Sequence, residues 1–171
     1  MNQTNNIDIR RVLVANRGEI AGRVIRTARQ LGVASVGVHS EVDASLPYVE
    51  QADEAVALTG ESPRSLYQLV ERATETGCDV VHPGYGFLSE SPELARRVHA
   101  AGMRWIGSSA EVMVAMSDKV ASRNAVAKLG VTVASRSTAP VATVEDAVAQ
   151  ACGMGHPLMA KPSHFRNGAP S

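Results

Sequence analysis

The sequence predicts an α/β fold, a Rossmann-like parallel sheet with helices on both faces. Three observations carry that expectation. Short apolar runs rich in β-branched residues recur five times between residues 11 and 108. A helical segment separates each from the next, the pattern of βαβ units. The runs are nearly continuous in apolar character, as strands buried on both faces require.

The first run is RVLVA, Arg11–Ala15. The segment Asn16–Gly32 then places Ile20, Val24, Ala28 and Leu31 on one helical face, with Arg23, Arg26 and Arg29 elsewhere around it. Gly32 is a C-terminal stop. SVGVHS, Ser35–Ser40, is the second strand. A short helical piece and a strand at Glu54–Leu58 follow. Ser62–Gly77 is helical, with Leu66, Leu69, Val70 and Ala73 sharing a face. The fourth strand is Asp79–His82 and ends in a glycine turn. Ser91 as N-cap, Pro92 at the first helical position and Glu93 in the first turn open the next helix. RWIGS, Arg104–Ser108, is the fifth strand.

This places one domain at residues 9–108 and the opening of a second at residues 109–161. The second holds helices at 109–116 and 117–129, a loop at Thr132–Val141, a helix at Thr143–Gly155 and a strand at Leu158–Lys161. Residues 162–171 form a separate tail. The first eight residues read as a disordered lead-in, and a loose segment is expected beyond about residue 130.

Composition narrows the function. Lys+Arg and Asp+Glu are both 17 in 171 residues, so charge balance argues for neither nucleic acid nor an anionic membrane as partner. Aromatic residues make up only 4%, too few for base-stacking platforms. No apolar run approaches the ~20 residues of a membrane span, and the polar MNQTNNIDIRR is no signal peptide. Cys78 and Cys152 read as two reduced, buried thiols of a cytoplasmic protein.

Four motifs bear on chemistry. The turn Ala15-Asn16-Arg17-Gly18 lacks the three spaced glycines of a dinucleotide site. Glu19 stands where a phosphate would sit and favours the helix while repelling an anion. HPGYGFLSES, His82–Ser91, follows a strand, so it lies at the carboxyl end of the sheet, where open α/β sheets place ligands. Gly84 and Gly86 let that backbone turn sharply around Tyr85; a plain surface turn and a ligand-facing loop both remain open. His82 has no second ligand at metal spacing, and His39, His99, His156 and His164 are similarly isolated, so no metal site is expected. Lys119 lies in the first turn of a helix opening at Ser117 and Lys161 closes an apolar strand. Each is compatible with an exposed lysine or with a phosphate contact.

Four stretches in order resemble the amino-terminal part of biotin carboxylase, the ATP-dependent component of acetyl-CoA, propionyl-CoA and pyruvate carboxylases. They are VLVANRGEIAGRVIRTARQLGV, HSEVDASLPYVEQADEAVAL, CDVVHPGYGFLSESPELA and WIGSSAEVMVAMSDKVASRNAVAKLGV. The resemblance spans about residues 9 to 161 and implies a pre-ATP-grasp domain followed by an incomplete ATP-grasp segment.

It further implies that Lys119 and Lys161 contact ATP phosphates. Tyr85 and Gly86 would line the bicarbonate and biotin side, and Arg26 would sit at a homodimer contact. The implied cofactors are ATP and magnesium, with carrier-borne biotin as substrate. The implied partners are a biotin carboxyl carrier and a carboxyltransferase. Where the family continues past its second lysine with a glycine-rich run over the triphosphate, this chain reads PSHFRNGAPS. That departure implies a truncated chain, inactive alone and without magnesium ligands, whose coding frame shifts or ends near Lys161. Ser135 and Arg136 stand where the family has proline and glycine, so that loop departs too. The alternatives are a non-catalytic module docking on a full-length carboxylase through the Arg26 helix, and a nucleotide-binding domain of another class.

Overall fold

The computed structural model describes residues 8–59, 66–133, 141–155 and 157–159. The chain divides into two compact units, Met1–Ala110 and Glu111–Ser171.

The first unit is built on five parallel strands: β1 (Arg11–Val14), β2 (Ala34–His39), β3 (Glu54–Ala57), β4 (Val80–His82) and β5 (Arg104–Trp105). Their order is β3-β2-β1-β4-β5. In register, Val12 pairs with Ser35 on one side and Val80 on the other. The connecting helices are α1 (Gly18–Gln30), α2 (Pro47–Gln51), α3 (Leu66–Glu75) and α4 (Pro92–Ala100). Right-handed crossovers put α1 and α2 on one face and α3 and α4 on the other. The packing agrees, since α1 meets α2 and α3 meets α4. Between α3 and α4, the Arg97 guanidinium lies 3.8 Å from the Tyr67 ring centre.

Strand periodicity explains the core. Val12 and Val14 point to one face and join Ala21, Ile25, Ala28, Tyr48 and Val80 in one apolar cluster. Leu13 points to the other face and is fully buried, as are Leu69 and Leu94. Burying each such leucine contributes about 1.5–3 kcal/mol.

The buried stripe of α1 is Ala21, Gly22, Ile25 and Ala28, one position round from the expected face. Leu31 is 73% exposed because the helix has ended at Gln30 and Leu31 is its C-cap. The stripe contains Gly22 because α2 approaches closely: a Cβ there would lie 3.3 Å from Gln51 Oε1. The expected cap of α4 forms, with Ser91 Oγ accepting from Leu94 N at 3.2 Å. The start of the expected 62–77 helix lies outside the described residues, which show α3 from Leu66.

Helix α5 spans Ala110–Ser117. In the second unit, α6 spans Lys119–Lys128 and α7 spans Val144–Met154. The helix expected to open at Ser117 opens one residue later, on Asp118. Its Oδ1 accepts from Val120 N at 2.7 Å and Ala121 N at 2.9 Å. A carboxylate at this position also complements the positive end of the helix dipole, which a serine hydroxyl does not. Thr143 caps α7 through Asp146 N. No residue of α7 is buried, which leaves Cys152 exposed, against the expectation of two buried thiols; Cys78 is buried. Leu158 and Met159 carry no strand pairing, and the rest of the expected 158–161 strand lies outside the described residues.

Candidate functional site

The chain runs β1 to β2 to β3 and then returns to lay β4 on the other side of β1. The carboxyl ends of β1 and β4 therefore flank the switch point of the sheet, where open α/β folds bind ligands. Two loops meet there, Ala15–Gly18 after β1 and Pro83–Gly86 after β4.

Asn16 clasps one to the other. Its Nδ2 donates to Pro83 O at 2.7 Å and to Tyr85 O at 3.2 Å. Its Oδ1 accepts from Arg17 N at 2.9 Å. A side-chain amide has donors on one atom and an acceptor on the other, so no other side chain of this size does both.

The clasp leaves no room at Gly84. With φ at +69°, a Cβ there would lie 2.6 Å from both Asn16 Nδ2 and Ile20 Cγ2. Gly84 N donates to His82 Nδ1 at 2.9 Å. Burial lowers the pKa of His82 and favours the neutral ring that can accept this bond. Gly86 has φ 68° and ψ 177°, backbone that essentially only glycine adopts. Nothing lies within 4 Å of where a Cβ would stand. Phe87 follows at φ 46°, 61% exposed. Strain of this kind collects at functional loops.

Tyr85 projects from this loop with 59% exposure. Its hydroxyl donates to Glu19 Oε2 at 3.4 Å. The first-turn carboxylate of α1 thus meets the tyrosine rather than a phosphate.

A cavity of about 180 Å³ lies over the ends of β1 and β2. Its polar wall includes Arg17, Ser40, Asp43 and Tyr48; its apolar wall includes Leu58 and Leu69. Arg17 Nη2 donates to Asp43 Oδ1 at 2.7 Å. The arginine side chain is 68% exposed and the aspartate side chain 7%. Tyr48 Oη donates to Val38 O at 3.0 Å. Burial, and then the Asp43 charge, push its pKa up to about 12.

The structure thus brings Tyr85 and Gly86 together at the switch point with Asn16 and Glu19. Arg26 is exposed on α1. Lys119 is the first residue of α6, and its side chain lies outside what is described. Lys161 lies outside the described residues. Among the described residues, no group of three or more His, Cys, Asp or Glu could hold a metal ion. No described helix is long and apolar enough to cross a membrane. Asn16, Arg17 and Asp43 were not singled out as functional by sequence reasoning. The adjacent Asn-Arg pair before a first-turn glutamate was the available signal.

Fold and site together define an open α/β domain of the Rossmann-like class, with a glycine-framed tyrosine at its switch point and no phosphate-binding glycine triad. The family model for the biotin carboxylase N-terminal domain matches residues 8–113. The chain belongs to the biotin carboxylase family and corresponds to its amino-terminal part.

Its relatives agree. The biotin carboxylase of Halalkalibacterium halodurans is 41% identical over 158 residues, covering 90% of this chain and 35% of that protein. The human mitochondrial propionyl-CoA carboxylase alpha chain is 41% identical over 157 residues, covering 90% of this chain and 22% of its own length. Among solved structures, the biotin carboxylase domain dimer of Hydrogenobacter thermophilus 2-oxoglutarate carboxylase, in complex with MgADP, ADP and bicarbonate, superposes with TM-score 0.82 at 37% identity. That match covers 87% of this chain and 34% of the other. The chain spans about a third or less of the length of these proteins.

Proposed function

We propose that this chain supplies the amino-terminal part of an ATP-dependent biotin carboxylase, a ligase that carboxylates carrier-borne biotin with bicarbonate. In this reading residues 9–108 form the pre-ATP-grasp domain and residues 109–161 begin the ATP-grasp domain. Residues 162–171 form a tail without a counterpart. Tyr85 and Gly86 face bicarbonate and biotin, Lys119 and Lys161 contact ATP phosphates, and Arg26 contributes to a homodimer. A biotin carboxyl carrier and a carboxyltransferase are the partners, in the cytoplasm.

The observation that carries the reading is the loop at the switch point. Asn16 and Glu19 hold Tyr85 at the open end of the sheet, and Gly86 beside it leaves space for a ligand to approach the backbone. Positioning of this sort is what makes a bound substrate reactive. In this reading residues 8–159, which cover about a third of the length of the related enzymes, carry no carboxylase activity by themselves.

A chimera tests it. The matching segment of the Halalkalibacterium halodurans enzyme is replaced by residues 8–159 of this chain, and biotin-dependent, bicarbonate-dependent ATP cleavage is followed. Activity within about tenfold of the parent is expected, with a further loss on Tyr85→Ala of about tenfold or more. A folded chimera without activity, or one indifferent to Tyr85→Ala, overturns the proposal. Bicarbonate-stimulated phosphate release by the chain alone would equally contradict it.

A further inference from the structure

We propose that Asp43 is a positioning residue for Tyr85, acting across the switch point through Arg17 and Asn16. Its effect on the reaction rests on the carboxylase reading above; its hold on the tyrosine loop rests on the first unit alone.

Tyr85 has little else to fix it. Its ring is 59% exposed, so packing constrains it weakly. Its hydroxyl bond to Glu19 is 3.4 Å, long for an O–H donor. The place of the side chain is therefore set by its backbone, where Tyr85 O accepts from Asn16 Nδ2 at 3.2 Å. The same nitrogen donates to Pro83 O at 2.7 Å. Where the Asn16 amide points decides where the loop stands.

Arg17 orients that amide. Its backbone N donates to Asn16 Oδ1 at 2.9 Å, which turns the oxygen towards α1 and the nitrogen towards the second loop. Arg17 is the N-cap of α1, but its side chain makes no cap bond there. The guanidinium crosses instead to the loop after β2, and Nη2 donates to Asp43 Oδ1 at 2.7 Å.

Asp43 is the fixed end of this run. Its side chain is 7% exposed against 68% for Arg17. Its backbone is tied on both sides: Asp43 N donates to Ser40 O at 3.1 Å, and Asp43 O accepts from Leu46 N at 2.9 Å. A carboxylate this buried holds its counter-charge, because an unpaired charge there is strongly unfavourable. The loops after β2, β1 and β4 are thus joined in one line, Asp43 to Arg17 to Asn16 to Tyr85.

Arg17→Met tests the line, since it removes the guanidinium from an exposed side chain. In the ¹⁵N-labelled full chain the amides of Tyr85 and Gly86 should shift along with those of Asn16 and Asp43. Shifts confined to Arg17, Asp43 and their sequence neighbours would overturn the proposal. In the chimera kcat should fall about threefold or more, with KM for ATP unchanged. In the Tyr85→Ala background the same substitution should cost less than about twofold, because the residue it acts through is gone. A merely structural role would lower both backgrounds alike, and that result refutes positioning, as does an Arg17→Met chimera as active as its parent. Asp43→Ala should reproduce the amide shifts at Tyr85 and Gly86; a folded variant without them counts against the proposal, and if it does not fold, Arg17→Met decides. An inactive parent chimera sinks the carboxylase reading and leaves the amide shifts to decide this one.

Discussion

Replacing Gly84 with alanine tests whether the clasp between the two loops is as tight as its geometry requires. Two costs add. The backbone sits at φ +69°, and an L side chain in that region costs about 1–2 kcal/mol. The new Cβ would also lie 2.6 Å from Asn16 Nδ2 and 2.6 Å from Ile20 Cγ2. Asn16 cannot simply swing away, because the same Nδ2 holds Pro83 O at 2.7 Å. Ile20 belongs to α1, packed on the sheet. Overpacking of this kind costs about 1–3 kcal/mol, so Gly84→Ala should destabilise by about 2–5 kcal/mol in all.

Gly77 supplies the control. It has nearly the same φ, +65°, but nothing lies within 4 Å of its added Cβ. Gly77→Ala should therefore cost only the backbone share, about 1–2 kcal/mol. The assay is urea unfolding followed by fluorescence of Trp105, the single tryptophan, buried in β5. The quantity to compare is the difference between the two variants, which cancels the shared backbone strain. A difference of about 1 kcal/mol or more is expected. Equal destabilisation by both substitutions would refute the argument, because the clasp would then yield to a methyl group without resistance.

Three further outcomes follow from local geometry. The Tyr48 pKa is raised from 10.0 to about 12, so stability from this group is complete below pH 10 and is lost as pH climbs through 12. Tyr48→Phe should remove that alkaline loss in a pH series of melting temperatures, and should also leave Val38 O without its donor. Asp118→Ala should cost about 0.5–2 kcal/mol through loss of the α6 cap, read as reduced helicity by circular dichroism, while Trp105 unfolding is unchanged. Native alkylation with iodoacetamide should add one adduct by intact mass, at exposed Cys152; burial raises the pKa of the Cys78 thiol and withholds it from reagent.

How much of this was legible in the sequence depends on the range of the interaction. The five strands and the Ser91 cap rest on neighbours in sequence: β-branched runs, and an Oγ three residues from the amide it caps. Strand order required knowing that the chain returns past β1 to form β4, which periodicity does not contain. Leu31 was misplaced for a local reason, since helical phase was carried one residue beyond the last helical turn. Cys152 was misplaced because its burial was expected from the residue type alone, and the helix that carries it buries no residue.

The β1–α1 turn shows the limit most plainly. Judged by its glycines and its Glu19, it is a phosphate site that fails. The structure keeps every one of those observations and changes their meaning. The bonds from Asn16 reach carbonyls 67 and 69 residues away, and Glu19 takes the hydroxyl of Tyr85. A carboxylate that repels an anion at a helix N-terminus is well placed to hold a neutral phenol there. The missing glycines are then no defect: side chains at Asn16 and Glu19 are what grip the second loop. The turn that cannot cradle a phosphate is thereby the element that presents the glycine-framed tyrosine.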